Sequence, residues 1–144
     1  MMDATNRLLV FTLRGSRYAI TLENVAEVME PPLIFPIPHA PHFFPGIMNF
    51  HGNLVSVLDL ALFLSGAPCN PHGKILVLDA RIANLSLWVD TIENIGSTDG
   101  ILEEYESDEN LVETLLMMAD GEVKMLSVEK LLDKLEEILA AAGV

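Results

Sequence analysis

Short apolar runs separated by turn residues dominate this chain, and they predict strands before they predict anything else. "LLVFTL" (Leu8–Leu13) and "YAITL" (Tyr18–Leu22) flank "RGSR", where Gly15-Ser16 signals a tight turn, so the pair predicts a β-hairpin. Leu22, Val25 and Val28 recur every third residue, which predicts a brief helical turn that Pro31 and Pro32 stop. Six prolines between Pro31 and Pro45 remove ladder donors, so this stretch reads as an extended connection with a short edge strand around "LIF". "GIMNFHGNLVSVLDL" (Gly46–Leu60) then places Ile47, Asn49 and His51 on one side of a strand and Met48 and Phe50 on the other. Gly52-Asn53 supplies a turn, and "LVSVL" returns.

The second half has the same style. Strands are predicted over "KILVLDA" (Lys74–Ala80), "LSLWVDTI" (Leu85–Ile92) and "EVKMLSV" (Glu122–Val128), with "GAPCNPHG" (Gly66–Gly73) as a loop and a junction between halves. From Val128 the period changes. Val128, Leu131, Leu132, Leu135, Ile138 and Leu139 form the apolar stripe of an amphipathic helix, with Ser127 as N-cap. Many short strands and few helices predict β-barrels rather than βαβ units.

Charge narrows the function classes. The chain carries 21 acidic against 8 basic residues, a net charge of −13 over 144 residues. A field of that sign repels phosphate backbones and anionic lipid, so nucleic-acid and membrane-surface binding are disfavoured. No apolar run reaches the roughly 18–20 residues needed to span a bilayer, so no membrane insertion is expected. The opening "MMDATNRLLVFTL" lacks the long apolar core of a signal peptide, and with a single cysteine, Cys69, the expected location is cytoplasmic. No basic residue falls between Arg81 and Lys124, so the acidic Asp99–Glu113 stretch is expected to be a solvated, mobile connection. Its glycine stands in the wrong place for an EF-hand loop.

Candidate chemistry is sparse. His39, His42, His51 and His72, with Cys69, Asp59 and Asp79, supply metal-ligand types, but "HAPH" is broken by proline and "CNPH" lacks a second half. There is no nucleophile elbow, P-loop or Rossmann glycine run. Cys69 lies in a proline-flanked loop without a neighbour that would lower its pKa. These residues read as loop residues, Trp88 as core and Met117-Met118 as half-buried strand residues. A small metal-dependent enzyme using His39, His42 and Asp59 is the rival reading.

Taken in order, "LVFTLRGSRYAITLENVAEV" (Leu9–Val28), "APHFFPGIMNFHGNLVSVLDL" (Ala40–Leu60), "KILVLD" (Lys74–Asp79), "LWVDTIENI" (Leu87–Ile95) and "VKMLSVEKLL" (Val123–Leu132) resemble the CheW-like domain of bacterial chemotaxis adaptors. The resemblance implies a mainly β fold of two SH3-like five-stranded barrels sharing a core, plus the C-terminal helix. The first barrel would span roughly 14–66 and the second roughly 74–128, with strands exchanged at the N-terminus, and the helix 128–142. It implies a non-enzymatic adaptor without cofactor, coupling a chemoreceptor's cytoplasmic tip to the regulatory domain of a CheA-type histidine kinase. The stand-alone type fits this length better than the kinase or a fused form. Val25, Gly46 and Asp59 match the family's contact motifs, and Met48, His51 and Gly52 complete the implied partner-binding set. On that reading, Gly46→Arg abolishes receptor binding and leaves the fold intact. The sequence departs from the family where His51-Gly52 replaces Arg-Gly and Ser56 replaces proline. "NLVETLLMMADGEV" also lacks the usual glycines. A neutral histidine cannot reproduce arginine's charged, five-donor fork, so a divergent adaptor in another signalling array is a further reading.

Overall fold

The computed structural model describes residues 6–142. Strands β1 (Arg7–Leu13) and β2 (Ser16–Thr21) form the first hairpin. Its turn sits one residue earlier than expected, on Arg14-Gly15, because both have positive φ (51° and 86°) and Leu13 already pairs with Ser16. That geometry matches the right-handed twist of the strands it joins.

The helical turn expected from Leu22, Val25 and Val28 is replaced by a short 3-10 turn (Leu22–Asn24) and strand β3 (Val25–Met29). A bulge explains the misleading spacing. The β3 register shifts between Val25 and Glu27, so Val25 pairs with Leu78 and Val28 with Leu76, two apart on the regular partner strand. An extra residue in a bulged strand turns a period of two into a period of three.

In the proline-rich segment, Phe35 pairs with Ile47 through two backbone hydrogen bonds of 2.8 and 2.9 Å, which is the short edge pairing expected there. β4 (Gly46–Phe50) and β5 (Asn53–Asp59) follow, and His51-Gly52, rather than Gly52-Asn53, makes their turn, with φ of 49° and 86°. A six-residue helix that the pattern did not predict, α1 (Leu60–Ser65), comes next. Its cap is the Asp59 carboxylate, which accepts from Leu62 N at 3.0 Å, and it ends on Gly66 at φ 80°.

The run Leu85–Ile92 is two strands, β7 (Leu85–Val89) and the start of β8 (Thr91–Ser97), which lie in different sheets and break at Asp90. The stretch expected to be a mobile acidic connection instead contains β9 (Ile101–Glu106), which pairs with β10 (Val112–Met118). β11 (Gly121–Leu126) and α2 (Val128–Ala141) complete the chain, and Ser127 Oγ accepts from Lys130 N at 3.2 Å as the expected N-cap.

The fold is mainly β. One sheet has five strands in the order β3-β6-β7-β5-β4, where β6 is Lys74–Leu78, and the other has six in the order β8-β1-β2-β11-β10-β9. The sheets therefore hold six and five strands rather than five each. The changeover falls at Asp90, not in the 66–73 loop, since β6 and β7 pair with β3 and β5.

Burial on both faces explains the unbroken apolar runs. In β1, Leu8 and Val10 pack with Ala19, Leu116 and Val123 inside the six-stranded sheet, while Leu9, Phe11 and Leu13 face a larger common core. In β6, Ile75 and Val77 join Met48, Val55 and Val57 inside the five-stranded sheet, while Leu76 and Leu78 face the same common core. Leu131 and Leu135 of α2 close that core. With neither face wet, there is no polar phase to alternate with.

Candidate partner-binding surface

The β4–β5 hairpin organises the residues that the sequence singles out, and it separates them into an inside and an outside. Gly46 pairs with Val57 and Met48 with Val55, all four facing inward. Met48 is fully buried, so it belongs to the interior of the sheet and not to a surface patch. Gly46 is buried at φ 154°, and a Cβ there would lie 2.1 Å from the Phe35 carbonyl oxygen. The glycine admits the proline-rich segment against β4, so a side chain at this position strikes the protein's own backbone before any partner.

Asp59 is also interior. Its carboxylate caps α1 and accepts from Cys69 N at 3.2 Å, which leaves it buried. Val25, at the start of β3, is half-buried against the common core.

His51 and Gly52 are outside. The His51 side chain is 72% exposed, with Nε2 3.7 Å from Glu27 Oε1 of β3 and its ring edge-on to Phe50. Gly52 has open space where a Cβ would point, and its amide donates to Asn49 Oδ1 at 2.9 Å. The His51–Glu27 approach joins β4's turn to β3, the opposite edge of the same sheet. The curled sheet thus sets hairpin tip and β3 side by side.

Exposed apolar residues that the reading of the sequence missed stand on β3, on β5 and in the proline-rich segment. Leu54 is 65% exposed, Phe35 51%, and Leu33, Ile37 and Val28 are exposed as well. Phe35 pairs with Ile47, so their side chains share one face of the sheet, and Leu54 opposite Asn49 shares that outward face. In "LVSVL" alternation alone does not single out Leu54, because Leu58 in the same phase is fully buried in the common core.

The chemical alternatives lose their geometry. Among the described residues, no group of three or more His, Cys, Asp or Glu side chains is placed to hold a metal ion, so His39, His42 and Asp59 do not assemble into a centre. Cys69 is buried, and its Sγ donates to the Trp88 carbonyl at 2.9 Å. Burial, with the Asp59 carboxylate beside it, pushes this thiol well above its ordinary value, the reverse of an activated nucleophile. Trp88 is half-buried and donates through Nε1 to the Asn70 carbonyl at 3.1 Å, a structural role.

Comparison with known proteins follows this architecture. A probable chemotaxis protein CheW of Rhizobium etli is 24% identical over 99 residues, covering 67% of this chain and 64% of the relative. Protein FrzA of Myxococcus xanthus is 38% identical over 55 residues, covering 38% of this chain and 34% of the relative. This chain therefore spans less than two thirds of either relative's length. The crystal structure of scaffolding protein TtCheW from Thermoanaerobacter tengcongensis superposes with a TM-score of 0.73 at 20% identity, over 88% of this chain and 87% of that one, which shows the shared fold. The family model of the CheW-like domain matches residues 7–136, and the chain belongs to that family.

Proposed function

We propose that this protein is a non-enzymatic cytoplasmic signalling adaptor that couples a chemoreceptor's cytoplasmic tip to the regulatory domain of a CheA-type histidine kinase. One observation carries the reading beyond family membership. Exposed apolar side chains stand on the β4–β5 hairpin and the segments beside it (Leu54 on β5, Phe35 paired with Ile47 of β4, and Val28 on β3), while Gly46 and Met48 of the hairpin are buried. Apolar groups held at a fixed outward angle suit a protein that works by positioning partners. No helix among the described residues is long and apolar enough to cross a membrane, which fits an adaptor that meets a receptor at its cytoplasmic end.

The interface assigned here consists of His51, Gly52 and Val25 with the apolar residues around them. Gly46, Met48 and Asp59 act from the interior by holding the hairpin and α1. We read the two sheets as the two SH3-like units of the fold, with the first hairpin completing the second unit. His51 in place of the family's arginine, and Ser56 in place of its proline, suit a divergent partner, as in a non-motility signalling system.

The test is binding of the full chain to a receptor-tip fragment and to a kinase regulatory domain from the same genome. Leu54→Glu should weaken one of the two by about tenfold or more without lowering the melting temperature. His51→Arg should change affinity for the same partner. Wild-type binding of both partners by both variants would remove this surface from the interface.

A further inference from the structure

A cavity of about 540 Å³ opens between the six-stranded sheet, the proline-rich segment, α1 and α2, away from the hairpin tip. Tyr18 of β2, Phe43 of the proline-rich segment, Phe63 of α1, Leu111 of the β9–β10 connection, and Lys134 and Ile138 of α2 line it. Its size falls within the range of small-molecule sites, roughly 300–1,000 Å³. The aromatic wall is fixed: the Phe43 and Phe63 rings meet edge-on at 4.8 Å, and the Phe43 carbonyl accepts from Asp59 N at 2.8 Å.

Two polar groups in this wall are free to take a partner. Tyr18 is only 8% exposed, its ring stacked on Phe11, yet its hydroxyl makes no hydrogen bond among the described residues. That hydroxyl is not among the fully buried unpaired side-chain atoms of the described residues, so it is open to the cavity and free to donate. Lys134 is half-buried and belongs to none of the ion pairs among the described residues, and neither does Lys130 one turn earlier. In a chain of net charge −13, unpaired lysines one turn apart are conspicuous. The acidic wall residue, Glu109, already pairs with Lys124 at 2.8 Å. Asp133 and Glu137 border an adjoining cleft, which Lys130 and Lys134 also line, and His42 completes the rim of the cavity.

We propose that this cavity binds a small amphiphilic carboxylate, with the acid on Lys134 and the Tyr18 hydroxyl and an aromatic or branched apolar body against Phe43 and Phe63. Both polar groups can donate, which suits an anionic acceptor head, and Phe43, Phe63, Leu111 and Ile138 suit an apolar body. The site is independent of the hairpin surface, and its failure would leave the adaptor reading untouched.

The experiment titrates 3-phenylpropionate into isotope-labelled full-length protein and follows amide shifts by NMR, with 3-phenylpropanamide and 3-phenylpropylamine as controls. Saturable shifts are expected at Phe63, Leu111 and Ile138, with the acid binding more tightly than either control. Lys134→Met should weaken the acid by about tenfold and Tyr18→Phe by several-fold, since each removes a donor to a charged group. Amide dispersion of each variant shows that it is folded, and Lys134, being half-exposed, keeps the test open if Tyr18→Phe does not fold. The proposal is overturned by no saturable shift at those amides, by shifts centred elsewhere, by equal binding of the amine, or by undiminished binding to Lys134→Met.

Discussion

Gly46 shows how a single residue changes meaning once its surroundings are visible. A Cβ there would meet the Phe35 carbonyl oxygen at 2.1 Å and its carbon at 2.6 Å, on a backbone with φ 154°. Neither contact is with a flexible side chain, so the segment itself must move. Gly46→Ala should therefore cost about 2 kcal/mol or more, read as a lower urea midpoint. An unchanged midpoint would show that the Phe35–Pro36 backbone yields freely. The expectation that Gly46→Arg spares the fold is reversed on the same grounds, and loss of binding by that variant would not locate an interface. Cys69 offers a test through pH. Its folded pKa is raised by burial, while the unfolded thiol titrates near about 8.5, so above that pH the unfolded state sheds a proton that the native state keeps. Stability should fall as pH rises past that point, by up to about 1.4 kcal/mol per unit, and Cys69→Ala should flatten the slope. An identical alkaline slope in the variant would assign the loss to other groups.

At the scale of elements, legibility followed how much of each element's pattern was its own. The hairpins and α2 were readable because turn residues, Ser127 and the 3–4 apolar spacing are local signals. β3 was not, because its bulge is defined against β6, which follows it by some forty-five residues. β9 was hidden by charge: Glu103, Glu104 and Glu106 suggested a solvated connection, yet the strand sits at the sheet's edge, where such residues are tolerated. An edge strand presents unpaired backbone groups, and charge deters other chains from pairing with it. Here the deterrent has work to do, since Leu102 is 66% exposed on the same strand. Replacing the three glutamates with glutamine should produce concentration-dependent self-association, seen as earlier elution or rising light scattering. A variant that stays monomeric at high concentration would show that the charges do not guard this edge.

For the whole molecule, the fold class was legible and the partition of strands was not. The apolar runs announced strands, but no residue announced that β7 and β8, separated only by Asp90, would enter different sheets. That choice is made by the common core, to which Phe11 and Tyr18 come from one sheet, Leu76 and Leu87 from the other, and Leu131 and Leu135 from the last helix. The candidate surface was half legible for a related reason: sequence located the hairpin but could not tell Met48 from Leu54, whose difference is which way each points. One pairing has a consequence for how the chain comes into being. β2 lies parallel to β11, with Tyr18 opposite Lys124, so the first hairpin completes its sheet only against a strand made some hundred residues later. During synthesis this hairpin waits with both edges open, one for β8 and the other for β11, and non-local pairing of this kind slows folding. The order of translation thus leaves this hairpin in need of protection until the strands that receive it emerge.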